Sequence, residues 1–184
     1  MQVFKLLSAL LDYPTPNFLA ELRQAVVEAG EGGARDLVLG FDRDQVFSPD
    51  ERLAIARFID ELLSVDETDV QSRYVQTFDL TAEHSLHLTH HLFGEEKTRG
   101  PALIDLTEYL KTFGFTHPET ELPDYLPLLL EFVSQLREDE AKVFLGDAGK
   151  VLKVIADNLD KAGSPYAALI RIIDNHGSLV KLAA

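Results

Sequence analysis

The stretch ELPDYLPLLLEF, residues 121–132, decides the fold. From Leu126 onward the apolar positions are Leu126, Leu128, Leu129, Leu130, Phe132, Val133 and Leu136, which leave almost no polar face. A helix apolar nearly all round is buried in the middle of its domain. A break precedes it, Phe113-Gly114-Phe115-Thr116-His117-Pro118. Glu121, Asp124 and Tyr125 put two carboxylates and a phenol at the helix opening, and Pro123 and Pro127 stiffen it. With Asp124 as N-cap, Pro127 falls at N3, where its missing N–H costs no intrahelical bond. The Asp124 carboxylate then accepts from the N2 amide. A rigid acidic turn fixed on the central helix is the first candidate site.

Outward from this element, the pattern is helical throughout. Val3, Phe4, Leu6, Leu7, Leu10 and Leu11 recur at helical spacing, so residues 2–11 form a short amphipathic helix. Thr15-Pro16 starts the next helix, and Ser48-Pro49-Asp50-Glu51 is a capping box with proline at N1. Tyr74 and Phe78, four apart on a helix begun near Asp66, share one face. Pro101 starts a helix that Gly114 ends. Beyond the central helix, the spacing predicts a short helix over 139–145 closed by Gly146. A last pair follows at 148–162 and 165–176, with Ser164 as cap, Pro165 at N1 and Gly177 as stop. No strand alternation, low-complexity tract or repeat is visible. The expected fold is all-α: a single irregular bundle of about nine helices over residues 1–184, with a hinge near 113–123 and subdomains at 1–112 and 123–184.

Composition narrows the function. The net charge is −14, against nucleic acid or an anionic membrane surface as partner and in favour of a cationic one. There is no cysteine, so no disulfide, thiolate metal site or cysteine nucleophile exists. Met1–Leu11 reads as a first helix rather than a signal peptide, and no apolar run reaches the ~18 residues needed to span a bilayer. A cytoplasmic protein without membrane insertion is expected.

Catalytic signals are weak. Gly30-Glu31-Gly32-Gly33 has neither a preceding strand nor a following Lys-Ser/Thr, so it reads as a loop. Residues 84–93, HSLHLTHHLF, hold four of the six histidines, and His84, His87 and His91 share a face if the segment is helical. Three such imidazoles suit zinc or another borderline metal, but the intervening glutamate of metalloenzyme helices is absent. Packing and hydrogen bonding is the competing account, and no metal is assigned. Gly94–Gly100 is a charged loop carrying Glu95, Glu96, Lys97 and Arg99. No nucleophile elbow marks a hydrolase. The residues alone favour a peptide-binding surface: aromatics rimmed by carboxylates, suited to an apolar segment with adjacent arginines.

ELPDYLPLLLEF resembles the hinge signature of the TorD/DmsD/NarJ group of redox-enzyme maturation chaperones, usually E-P-x-D-H before an apolar helix. Tyr74-Val75-Gln76-Thr77-Phe78 resembles their Y-x-x-L-F signature. HSLHLTHHLFGEEKTRGPALIDL and the opening LLSALLDYPTP are similar to the NarJ-type, nitrate reductase branch of that family. The likeness covers about residues 3–137. Three departures stand out: Tyr125 replaces the family histidine, the proline falls one place later at Pro123, and Thr77 replaces leucine. Tyr125 keeps a hydrogen-bonding aromatic at that position but cannot become cationic.

The resemblance implies a TorD-like fold and a non-enzymatic chaperone. Such a chaperone binds the N-terminal segment of a nitrate reductase catalytic subunit. It holds the apo-subunit in the cytoplasm for molybdenum cofactor insertion before membrane docking, and it keeps no cofactor of its own. It implies peptide contact at Tyr74, Phe78, Glu121, Asp124, Tyr125 and Leu126, with Asp124 and Glu121 holding the basic end. Asp124→Asn would then fold near normally and bind more weakly. The alternatives are a leader-peptide binder for another molybdoenzyme and a metal-dependent helical protein using His84–His91. A weak homodimer stays open.

Overall fold

The computed structural model describes residues 1–94 and 97–182, with side chains described to residue 177. Glu95 and Glu96 of the charged loop lie outside the described residues. The elements are α1 (Gln2–Leu11), α2 (Pro16–Ala29), α3 (Ala34–Phe41), α4 (Pro49–Ser64), α5 (Glu67–Tyr74), a π-helical turn (Val75–Asp79) and a 3-10 turn (Ala82–His84). Then follow α6 (Leu88–Phe93), α7 (Arg99–Thr112), α8 (Leu126–Gln135), α9 (Glu138–Lys161) and α10 (Tyr166–Leu182). The fold is an all-α bundle, with no strand among the described residues.

Local chemistry sets the starts of α2, α4 and α5. Thr15 accepts from the Phe18 amide at the head of α2, Asp66 accepts from Thr68 at the head of α5, and the Ser48–Glu51 capping box is complete. α8 is the centre. Its Leu126, Leu130, Phe132 and Val133 are at most 1 % exposed. α1 lies along one side of it and buries six of its ten residues. The end of α7 is a Schellman motif: the Gly114 amide (φ +73) donates to Lys111 O and the Phe115 amide to Leu110 O. Leu110 and Phe115 are both buried there.

The C-terminal half departs from the sequence reading. Residues 138–161 form one helix of 24 residues, so Gly146 does not end a helix, nor does Gly177. Both glycines serve a close crossing of α9 and α10, the most extensive helix pair. A Cβ on Gly177 would lie 2.5 Å from the Leu145 carbonyl oxygen, and one on Gly146 3.2 Å from Gly177 O. Backbones this close exclude any side chain, and glycine is placed there for space rather than as a stop. Ser164 does not cap α10, which begins at Tyr166. Its amide is taken by Leu159 O in the turn after α9, and its Oγ is buried without a partner among the described residues.

His176 lies within α10, short of its end. It is 5 % exposed, packed on Phe4 and Phe47, with Nε2 3.7 Å from Glu51. Burial pushes its pKa below 6.5, against the pull of Glu51 and Asp42 and with that of Lys142. His91 is lowered as well, first by burial and then by His90 and His84, against its hydrogen bond to Ser85. Both groups bind a proton more readily in the unfolded chain. Stability is therefore full above about pH 6.5 and falls as pH drops toward the folded-state values. We expect the thermal midpoint to decrease between about pH 7.5 and pH 5.5, and His176→Gln to flatten that slope. Melting curves across that range check it.

Candidate functional site: an acidic aromatic cavity

The turn before α8 is pinned by a segment 37 residues earlier in the chain. The Leu88 amide donates to Asp124 O and the Leu126 amide to Leu86 O, closing an isolated antiparallel bridge between His87 and Tyr125. α8 takes Tyr125 as its N-cap, with no side-chain cap, and Pro127 falls at N2 rather than N3.

Asp124 therefore does not cap its own helix. Its carboxylate is turned to the head of α6, where His87, the N-cap residue, supplies no cap of its own. Asp124 Oδ2 accepts from the Thr89 amide at 3.0 Å and from Thr89 Oγ1. Oδ1 is 3.3 Å from His87 Nδ1, and Arg99 at the head of α7 stands 3.6 Å from Oδ2 while donating to Thr89 Oγ1. The side chain is 0 % exposed. Burial pushes its pKa up. The hydrogen bonds from His87 and Thr89 and the His87 charge outweigh burial and hold the carboxyl below its usual range. Asp124 thus joins the turn, α6 and α7 from inside the protein.

In front of this buried carboxylate lies a cavity of about 340 Å³. Four of the six residues expected at the site line it: Tyr74, Phe78, Glu121 and Tyr125. Asp124 sits behind it, and Leu126 is in the core at 1 % exposure. Tyr74 and Phe78 keep a common face across the π-turn, ring centroids 4.9 Å apart. Tyr125 is held against His87, rings 5.2 Å apart.

The sequence reading missed Asp12, Tyr13 and Asp79, which also line the cavity. Asp79 follows directly on the Y-x-x-x-F signature, so its nearness to Phe78 was legible. Asp12 comes from the end of α1, brought there by the packing of α1 on α8. Three carboxylates, Asp12, Asp79 and Glu121, thus border the cavity, and no lysine or arginine among the described residues lines it.

Tyr74 donates to Leu11 O and Tyr125 to Asp12 Oδ1, and the two phenolic oxygens are 3.0 Å apart. Both phenols are pushed far above their usual range, first by burial, and stay neutral. Two hydroxyl hydrogens thus meet three short oxygen–oxygen contacts. The cluster accepts one more donor than it owns, which suits an incoming guanidinium or ammonium.

The histidine segment does not form a metal-binding face. A 3-10 turn, a bridge and α6 divide it, so His84, His87 and His91 are not on one helix. His84 Nδ1 bonds Thr77 O, His87 meets Asp124, and His91 Nε2 bonds Ser85 O. No group of three potential ligands is placed to hold a metal among the described residues. No helix among the described residues is long and apolar enough to cross a membrane.

Comparisons with known proteins place the chain in a family. Residues 44–171 match the model of the nitrate reductase delta subunit family. The nitrate reductase molybdenum cofactor assembly chaperone NarJ of Escherichia coli K12 is 35 % identical over 120 residues. That match covers 65 % of this chain and 51 % of the relative, so the chain spans about half the length of that protein. The probable NarJ of Bacillus subtilis is 29 % identical over 174 residues, covering 92 % of this chain and 85 % of the relative. The probable assembly chaperone NarW of E. coli K12 is 30 % identical over 169 residues, covering 92 % and 65 %. The chain belongs to the nitrate reductase delta subunit family and is similar in sequence to the NarJ-type proteins of that family.

Proposed function

We propose that this protein binds the N-terminal segment of a nitrate reductase catalytic subunit in the acidic cavity. It holds the apo-subunit in the cytoplasm for molybdenum cofactor insertion before membrane docking. The observation that carries this reading is the cavity itself: three carboxylates around a Tyr74–Tyr125 pair that is short of one hydrogen-bond donor. A basic side chain supplies that donor and the opposite charge, while Phe78 and Tyr13 cover its aliphatic stem. The names of the relatives support the client class. The role is binding rather than catalysis: the two phenols are far from titrating, and Asp124 is committed to structure.

The charge role first assigned to Asp124 passes to Asp12, Asp79 and Glu121. Calorimetric titration with a synthetic peptide copying the N-terminal residues of the catalytic subunit from the same organism tests this. We expect saturable binding that weakens with salt. Asp79→Asn and Glu121→Gln should each weaken it about 2- to 5-fold at low salt, an effect that shrinks at high salt. No binding of that peptide would overturn the nitrate reductase assignment; binding only of another molybdoenzyme's leader would redirect it.

A further inference from the structure

The wall of the acidic cavity holds one polar ring not yet given a part in binding, His87. Its side chain is 32 % exposed, while the Asp124 carboxylate that it meets is fully buried. The imidazole therefore has two environments. Nδ1 lies 3.3 Å from Asp124 Oδ1, on the protein side. The opposite edge of the ring carries Nε2 and is the edge left to the cavity, where Nε2 takes no hydrogen bond from the described residues.

The buried carboxylate fixes the chemistry of that edge. An ionised carboxylate only accepts, so Nδ1 is the donor in the pair, and the neutral ring then carries its lone pair on Nε2. The ring is also held in place. It packs on Tyr125 with centroids 5.2 Å apart, and its own amide donates to Ser85 Oγ. The residues on either side of it, Leu86 and Leu88, are tied by backbone hydrogen bonds to Leu126 and Asp124. A rigid acceptor thus stands beside the Tyr74–Tyr125 pair, itself short of one donor. An entering ammonium brings three N–H groups and a guanidinium five, more than the phenol pair can take.

We propose that His87 is a specificity-determining residue of this site: Asp124 holds its Nδ1–H, and its Nε2 accepts an N–H from the basic side chain of the client segment. The assignment rests on the peptide-binding reading and adds a direction to it. Asp12, Asp79 and Glu121 attract any cation, whereas a lone pair fixed on a clamped ring accepts along one line. Asp124 then shapes the cavity through His87 without touching the client.

Asparagine and glutamine separate the two nitrogens, because the Asn amide reaches the place of Nδ1 and the Gln amide that of Nε2. His87→Asn keeps a donor for Asp124, so the melting temperature should change little. Titrated with the same catalytic-subunit peptide, it should bind about 10-fold more weakly, the range of one hydrogen bond from a charged donor. That loss should persist at high salt, unlike those of Asp79→Asn and Glu121→Gln. His87→Gln should reverse the order, melting lower than His87→Asn and binding more tightly. Changing each lysine and arginine of the peptide in turn to methionine should cancel the His87→Asn effect at one position. On peptide addition the 15N resonance of His87 Nε2 should move upfield while that of Nδ1 stays. An unmoved Nε2 resonance, or unaltered affinity of His87→Asn with Asp79→Asn still weakening binding, would overturn the assignment and leave the acidic cavity standing. Affinity losses that follow the melting temperatures of the two variants would likewise reduce His87 to a structural tie and overturn it. A peptide that fails to bind the unaltered protein overturns the peptide-binding reading as well.

Discussion

Asp124→Ala should lower the unfolding free energy by about 3 kcal/mol, the cost of deleting one member of a buried charged network. The loss has an identifiable origin. The Thr89 amide and hydroxyl, His87 Nδ1 and Arg99 all face this carboxylate, and none has an equal substitute. The head of α6 would be left uncapped, and α7 would lose the tie at Arg99. Asp124→Asn keeps one acceptor oxygen but turns an NH2 toward donors, so it should cost about 2 kcal/mol rather than fold normally. Denaturant titration measures both. The loss should also appear on the acid side. A folded-state pKa below the usual value means Asp124 contributes stability above the unfolded pKa, near 3.8, and loses it as pH falls through the folded one. A neutral outcome for Asp124→Asn would return the residue to a charge role in binding.

The second large effect is expected at the crossing of α9 and α10. Gly177→Ala places a methyl 2.5 Å from Leu145 O and 2.8 Å from Gly146 N, both backbone atoms that cannot swing aside. The helices must separate along a buried seam that includes Leu145, Ile170 and Ile173. Overpacking of this kind costs about 1–3 kcal/mol, and more where only backbone can yield. Alanine returns about 1 kcal/mol in helix propensity. A net loss near 2 kcal/mol is expected. Gly40→Ala is the matched control: its Cβ would meet nothing within 4 Å, so propensity alone should leave it neutral or more stable. Comparing the two by denaturant titration separates steric exclusion from backbone freedom.

The amino-acid sequence alone determined the helical class, the central place of α8 and the starts of α2, α4 and α5. Each depends on local chemistry: apolar periodicity for the class, and a capping side chain within three residues of its amide for the starts. It also placed Tyr74 and Phe78 on one face, because four-residue spacing survives a single π-turn. Tertiary structure decided the rest. Whether a glycine stops a helix or sits within one depends on what approaches it, and Gly146 and Gly177 approach each other. Whether an aspartate caps its own helix or another depends on which amides are nearest in space. Asp124 faces Thr89 because residues 86–88 bridge to 124–126, a pairing that no local pattern encodes. The acidic cavity is likewise assembled from the end of α1, the π-turn and the turn before α8. Its carboxylates at 12, 79 and 121 carry no mutual signal along the chain, and only the packing of α1 on α8 brings them to one place.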